Sequence, residues 1–159
     1  MIKFIKLYFW NKRLCKAIDK LLINKDQTAD IKPFKIGEID KNTKSMLQNE
    51  FKIILKNKNI FLTKTRILHF RPERKAKFNQ DISEAEIKQI AKILADKSTP
   101  KTLDKNTKTL NYWHYKDEYL DKIFRISLQV NYKIDKNTTN ILITICKVSK
   151  KAFNEKNKI

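Results

Sequence analysis

The sequence predicts an α+β domain in which N-terminal helices pack on a small antiparallel β-sheet. Three observations carry that expectation. Apolar residues recur at helical spacing between Ile2 and Ile23; Ser83 and Glu86 form a capping box ahead of a second apolar stripe; and the run from Ile123 to Lys133 alternates between apolar and polar side chains. With 159 residues, 41% of them hydrophobic and 10% aromatic, the chain has room for one domain with its own core. Its 33% of charged residues therefore describe a charged surface rather than disorder.

Taken in order, Phe4, Leu7, Tyr8, Leu14, Cys15, Ile18, Leu21 and Leu22 lay an apolar stripe along the first helix, with lysines between them. Phe9 and Trp10 widen that stripe. The helix reads either as packed on its own domain or as a basic amphipathic element, residues 1–23, that docks on a partner chain or a membrane surface. Asn24 to Lys32 is polar, so residues 1–32 form a helix-plus-linker unit ahead of a domain over 33–153 and a polar tail over 154–159. The only glycine, Gly37, marks a turn where a short strand over Phe34 to Ile39 gives way to a helix. Asp40 or Asn42 caps that helix, Leu47, Phe51, Ile54 and Leu55 form its apolar face, and Asn57-Lys58-Asn59 ends it. Ile60 to Thr63 is a brief strand. Behind the capping box, Ile87, Ile90, Ala91 and Leu94 make a helical stripe that Pro100 stops, followed by a polar loop to Lys108. Leu110 to Tyr115, Ile123 to Lys133 and Ile141 to Val148 read as strands, the last two joined by a hairpin turn at Asp135-Lys136-Asn137.

The charge balance narrows the partners. Against 17 acidic residues stand 36 Lys and Arg, a formal net charge of +19, which points to nucleic acid, an anionic membrane surface or an acidic protein. Cys15 and Cys146 lie far apart, with no CxxC and no histidine at zinc spacing, so both are expected to be ordinary thiols and no metal or cofactor site is expected. The first ten residues are greasy but broken by Lys3 and Lys6, unlike a signal peptide or a membrane span, which makes the cytoplasm the expected location. A Walker loop, a dinucleotide fingerprint, His-Glu-x-x-His and Gly-x-Ser-x-Gly are all missing, which removes the enzyme classes built on them.

The stretch from Thr63 to Phe78 carries the chemistry. It holds His69, one of two histidines, and three of the five arginines: Arg66, Arg71 and Arg74. Lysine is this chain's default cation, so arginine is the more informative residue, because its planar fork binds phosphate through two parallel hydrogen bonds. A histidine among such forks can move a proton near neutral pH while they hold a phosphate. Strand parity adds Arg125 and Thr144 on polar positions, and Lys75, Tyr112 and Lys147 join Arg66 and Arg74 as candidate RNA contacts. His69, Arg71, Arg125 and Thr144 are the candidate catalytic set. Each residue also has a structural reading: a core or capping role for His69, solvation for Arg74 and Lys75, an ion pair to Asp117, Glu118 or Asp121 for Arg125, and core packing for Tyr112; His114 reads as a structural strand residue, though it is the only other candidate for protonating the leaving group.

The order of these features resembles the phage-associated branch of the barnase, EndoU, colicin and RelE-like nuclease superfamily. The shared features are Phe34 to Ile39, a helix, the strand Ile60-Phe61-Leu62-Thr63 leading to His69, Asp81-Ile82-Ser83 opening a second helix, Pro100, and strands ending in Ile143-Thr144. The likeness spans roughly Phe34 to Phe153. It implies helices on an antiparallel sheet and metal-independent RNA cleavage, with His69 matching the family histidine, Arg125 the basic residue of a middle strand and Thr144 the hydroxyl of the last strand. Members often carry a second histidine soon after the first; here Arg71, Pro72, Glu73 and Arg74 stand in that place, which leaves the proton donor unassigned. The expected function is thus a ribonuclease of the toxin or phage-effector type, acting on RNA (tRNA among the candidates) and held in check by an inhibitor protein. Non-catalytic RNA or DNA binding and docking through residues 1–23 are the alternatives.

Overall fold

In the computed structural model, which describes residues 1–156, one open sheet is built from β1 (Phe34–Glu38), β2 (Asn59–Leu62), β3 (Lys101–Asp104), β4 (Thr109–His114), β5 (Lys122–Ile134) and β6 (Asn137–Ser149). The strands lie in the order β1-β2-β6-β5-β4-β3, and every neighbouring pair is antiparallel except β2 with β6. The helices are α1 (Ile2–Ile18), α2 (Lys41–Phe51), α3 (Lys64–Phe70), α4 (Pro72–Ala76), α5 (Glu84–Lys88), α6 (Ile90–Ala95) and α7 (Lys150–Lys156). This is the α+β class expected, with α1 and α6 packed on β1 and α6 also reaching β4. No helix of the described residues is long and apolar enough to cross a membrane. The expected polar tail over 154–159 begins inside α7, and its last three residues lie outside the described ones.

Sequence periodicity accounts for most of these elements. Helix α1 runs on through a π-helical turn over Asp19–Ile23, and Leu14, Ile18, Leu21 and Leu22 enter the same core as Ile36, Leu62 and Ile126. The N-terminal helix and the segment after residue 32 therefore share one core. Asp40 caps α2 by accepting hydrogen bonds from the Thr43 amide at 3.0 Å and its hydroxyl at 2.7 Å. That helix ends at Phe51, earlier than expected, because Lys52 turns into the left-handed region and the Ile53 amide donates back to Leu47. The capping box of Ser83 and Glu86 forms as expected. Gly37 lies within β1, not in a turn. The pairing register slips there, and a Cβ would meet Leu94 at 3.6 Å, an ordinary contact, so the position tolerates alanine.

The segment expected to be a polar loop before Lys108 contains β3, which pairs with β4 at the sheet's edge. Its polar sequence suits an edge strand and conceals it from a hydrophobic pattern. The long β5–β6 hairpin sorts side chains cleanly. Phe124, Ile126 and Leu128 face the helices, and Arg125 and Ser127 face the other side, where they register with Cys146 and Thr144.

Where β2 meets β6 the sheet is tied by two asparagines. Fully buried Asn140 donates from Nδ2 to the Asn57 and Asn59 carbonyls at 2.6 and 2.9 Å, while its Oδ1 accepts from the Asn131 amide. Asn131, itself left-handed, holds the loop after α2 through Lys56 and Ile54. Asn140→Ala removes a partner from three part-buried backbone groups at once, of which Asn59 O keeps the Thr139 hydroxyl at 3.1 Å. Urea unfolding should show a loss of about 3 kcal/mol, with the denaturant slope unchanged; a loss under about 1 kcal/mol would mean that water readily replaces the side chain.

Candidate phosphate-binding and active site

β6 is much longer than the neighbour it meets at this junction. β2 pairs with it only at Ile60↔Asn140 and Phe61↔Ile141, so the carbonyls of Ile143, Ile145 and Lys147 have no strand beside them. Side chains from the segment after β2 take their place. Arg66 Nη1 donates to Ile143 O at 3.3 Å, Lys75 Nζ to Ile145 O at 2.5 Å, and Gln80 Nε2 to Lys147 O at 3.0 Å. The Gln80 side-chain oxygen also accepts from the Lys147 amide, so this residue imitates a strand's donor and acceptor pair. This covered edge holds α3 and α4 in place.

The stretch Lys64–Ala76 is helical because Thr63 caps α3 at the Arg66 amide, and Ile67 and Phe70 bury one face of that helix. Pro72 pushes Arg71 into an extended conformation and opens α4 at its first position. His69 sits half-buried in the last turn of α3. Burial lowers its proton affinity below the ordinary value of 6.5, and the charges of Arg74, Arg66, Lys75 and Arg71 lower it further. The imidazole is therefore neutral at pH 7 and able to accept a proton.

Lys75 links this group to the sheet. Its ammonium reaches Thr144 Oγ1 at 3.5 Å, and burial, Arg74 and Arg125 all lower its proton affinity while Cys146 opposes them. Arg125 lies over the Trp113 ring at 5.9 Å, with its buried Nε lacking a hydrogen-bond partner among the described residues. Trp113 is fixed in turn by Thr102 Oγ1 at 2.8 Å and by Phe153 at 4.6 Å. None of Arg66, Arg71, Arg74, Lys75 and Arg125 forms an ion pair with a carboxylate among the described residues, and the nearby Glu73 pairs with Lys25 instead. A groove of about 500 Å³ continues past this cluster, with Arg71, Arg74, Lys25, Lys77 and the carboxylate of Glu73 on its walls.

The site residues expected from sequence separate into two groups. His69, Arg66, Arg71, Arg74 and Lys75 come together, and Lys75 joins them to Thr144 and Arg125. Tyr112 and Lys147 are elsewhere. Tyr112 is fully buried and cannot stack on a base; burial also pushes its hydroxyl well above the usual phenol range. Lys147 registers with Phe124 on the helix-facing side, where it pairs with Glu86 at 2.8 Å and covers Tyr119. His114 packs edge-on against Tyr119 and is not among the groups acting on His69. Arg125 makes no ion pair with Asp117, Glu118 or Asp121, and Trp113 is its partner instead. Sequence reading missed Gln80, Cys146 and the role of Trp113. Parity along β6 was a usable signal for Cys146, which shares Thr144's face; nothing in the sequence marked Gln80.

Among the described residues, no group of His, Cys, Asp and Glu could hold a metal ion. Comparison with known proteins finds no matching family model, curated protein or solved structure.

In ¹H–¹⁵N NMR titration His69 should show a midpoint below 6.5. The midpoint should rise in Arg74→Gln, which removes a repelling charge, and on adding inorganic phosphate, which favours the imidazolium. A midpoint at or above the ordinary value would remove this electrostatic description.

Proposed function

We propose that this protein is a metal-independent endoribonuclease that cleaves RNA by transesterification. The observation that carries this reading is a set of four cations around a histidine whose proton affinity is lowered, with Arg125 joined to it through Lys75 and none of the five paired with a carboxylate among the described residues. Cations held close together without acids are the complement of a chain of phosphates. A neutral imidazole among them supplies the base. The likeness in element order to the barnase, EndoU, colicin and RelE-like nucleases supports the same reading.

In this mechanism His69 takes the proton of a ribose 2′-hydroxyl, and that oxygen attacks the adjacent phosphorus. Arg71 and Arg125 hold the phosphoryl oxygens as negative charge builds on them, and Thr144 donates a hydrogen bond to one of them. The bond from phosphorus to the 5′ oxygen breaks as Lys75 gives that oxygen a proton, filling the role for which sequence offered no second histidine. The products are a 2′,3′-cyclic phosphate and a free 5′-hydroxyl. DNA has no 2′-hydroxyl and is spared. An inhibitor that silences the enzyme would present carboxylates to the same cluster.

With RNA in excess chelator, the parent should generate cyclic-phosphate ends, and His69→Ala should cut at least about 100-fold more slowly at unchanged RNA affinity. Activity needs His69 neutral and Lys75 charged. The pH profile should therefore rise through a midpoint below 6.5 and fall through one below 10.5. Lys75→Arg keeps the charge but holds its proton too tightly to donate it, so cleavage should drop while binding persists. If parent and His69→Ala bind RNA alike and neither cuts, the protein is a non-catalytic RNA- or DNA-binding protein.

A further inference from the structure

Only the second half of α1 is seated in the domain. Leu14, Ala17 and Ile18 are buried and Leu7 and Trp10 half-buried, whereas Ile2, Phe4, Ile5, Tyr8 and Phe9 are exposed, Phe4 by 80% and Phe9 by 55%. Residues 2, 5 and 9, and residues 4 and 8, recur at helical spacing, so the five form one strip on the side away from the core. An exposed apolar strip of this kind calls for an occupant.

Charge selects the occupant. Exposed Lys12, Arg13 and Lys16 fall on or beside the strip, and the first acidic residue of the chain is Asp19. Lys12 stands on the strip itself, its ammonium 5.8 Å from the centre of the Tyr8 ring. A second copy would bring another net charge of +19 against it, which opposes self-association. Nine residues of helix cover only about 13 Å, too little to cross a bilayer. An apolar face with aromatic residues and bordering lysines suits the boundary between lipid headgroups and acyl chains.

We propose that residues 1–13 lie in the plane of an anionic lipid surface, with Phe4, Ile5, Tyr8 and Phe9 inserted at the acyl boundary and Lys12 and Arg13 on headgroup phosphates. The full-length protein should sediment with vesicles of phosphatidylglycerol and phosphatidylcholine but not of phosphatidylcholine alone. A protein this basic also binds anionic vesicles by charge, so the apolar strip is read at high salt, where charge is screened. At about 0.5 M salt the parent should remain bound, whereas Phe4→Ser/Phe9→Ser should bind at least tenfold less at an unchanged melting temperature and unchanged RNA affinity. Lys12→Glu/Arg13→Glu should lower the preference for anionic lipid. Parent release at that salt, or equal binding by the serine variant, would overturn the proposal. So would a dimer in gel filtration that the serine variant dissolves, or saturable capture by an acidic protein without vesicle binding. RNA cleavage is measured separately, so either proposal can fail alone.

Discussion

The mismatch in length between β6 and β2 shapes the rest of this molecule. β6 runs for 13 residues and finds only two register pairs in β2, which leaves half of one edge without a strand. Each buried carbonyl left unpaired there would cost about 1–3 kcal/mol. Open edges also invite pairing with other chains. Instead of extending β2, the chain folds into two short helices that lie along the gap and send Arg66, Lys75 and Gln80 to the exposed backbone. Those contacts are structural requirements of the sheet. They also fix the positions of two cations and, through α3, of His69.

Held in this way, positive charges can be closer than they would settle in solution. Arg66 and Lys75 are tied to carbonyls and Arg125 to the Trp113 ring, so the residues that gather the charge are secured by something other than acids. Burial first, and their mutual repulsion after it, lowers the proton affinities of both His69 and Lys75. An entering phosphate relieves that repulsion without any rearrangement of the donors, which is the condition for electrostatic preorganisation. Carboxylates in the same places would have neutralised the cluster and raised His69 towards a permanently charged imidazolium. Glu73 lines the same groove as Arg71 and Arg74, but its ion pair goes to Lys25.

Periodicity and caps made much of the fold legible before any coordinates. The stripes of α1 and α6, the Asp40 and Ser83 caps and the alternation of β5 all follow from local sequence. β3 escaped because an edge strand in contact with water needs no apolar alternation. Turns were obscured for a compositional reason. With the single glycine placed inside β1, seven other residues, among them Lys52, Asn131 and Asp135, take the left-handed conformations that glycine usually marks. At the site, the local group His69, Arg66, Arg71 and Arg74 was visible because it lies within nine residues of sequence. Strand parity and the family likeness set Arg125 and Thr144 beside it, but the link through Lys75 was not legible, because it depends on which strand β6 lacks as a neighbour. Tyr112 and Lys147 were misplaced for a related reason: β4 carries aromatic residues on both faces and β6 polar ones on both, so composition alone does not say which face meets water.

Lys75 carries two demands that look incompatible, since it serves the backbone and, in the proposed reaction, also gives up a proton. The chemistry of the ammonium group reconciles them. It has three donors: one goes to Ile145 O, a second points to Thr144 Oγ1, and the third is left for a substrate oxygen. A guanidinium could cover the carbonyl equally well, as Arg66 does two residues earlier on β6, but it never releases a proton in a protein. At Ile143 the edge needs only a donor, and arginine provides it. At Ile145, next to Thr144, the edge needs a donor that desolvation and neighbouring charge can also make acidic, and of the two cations only lysine meets both conditions.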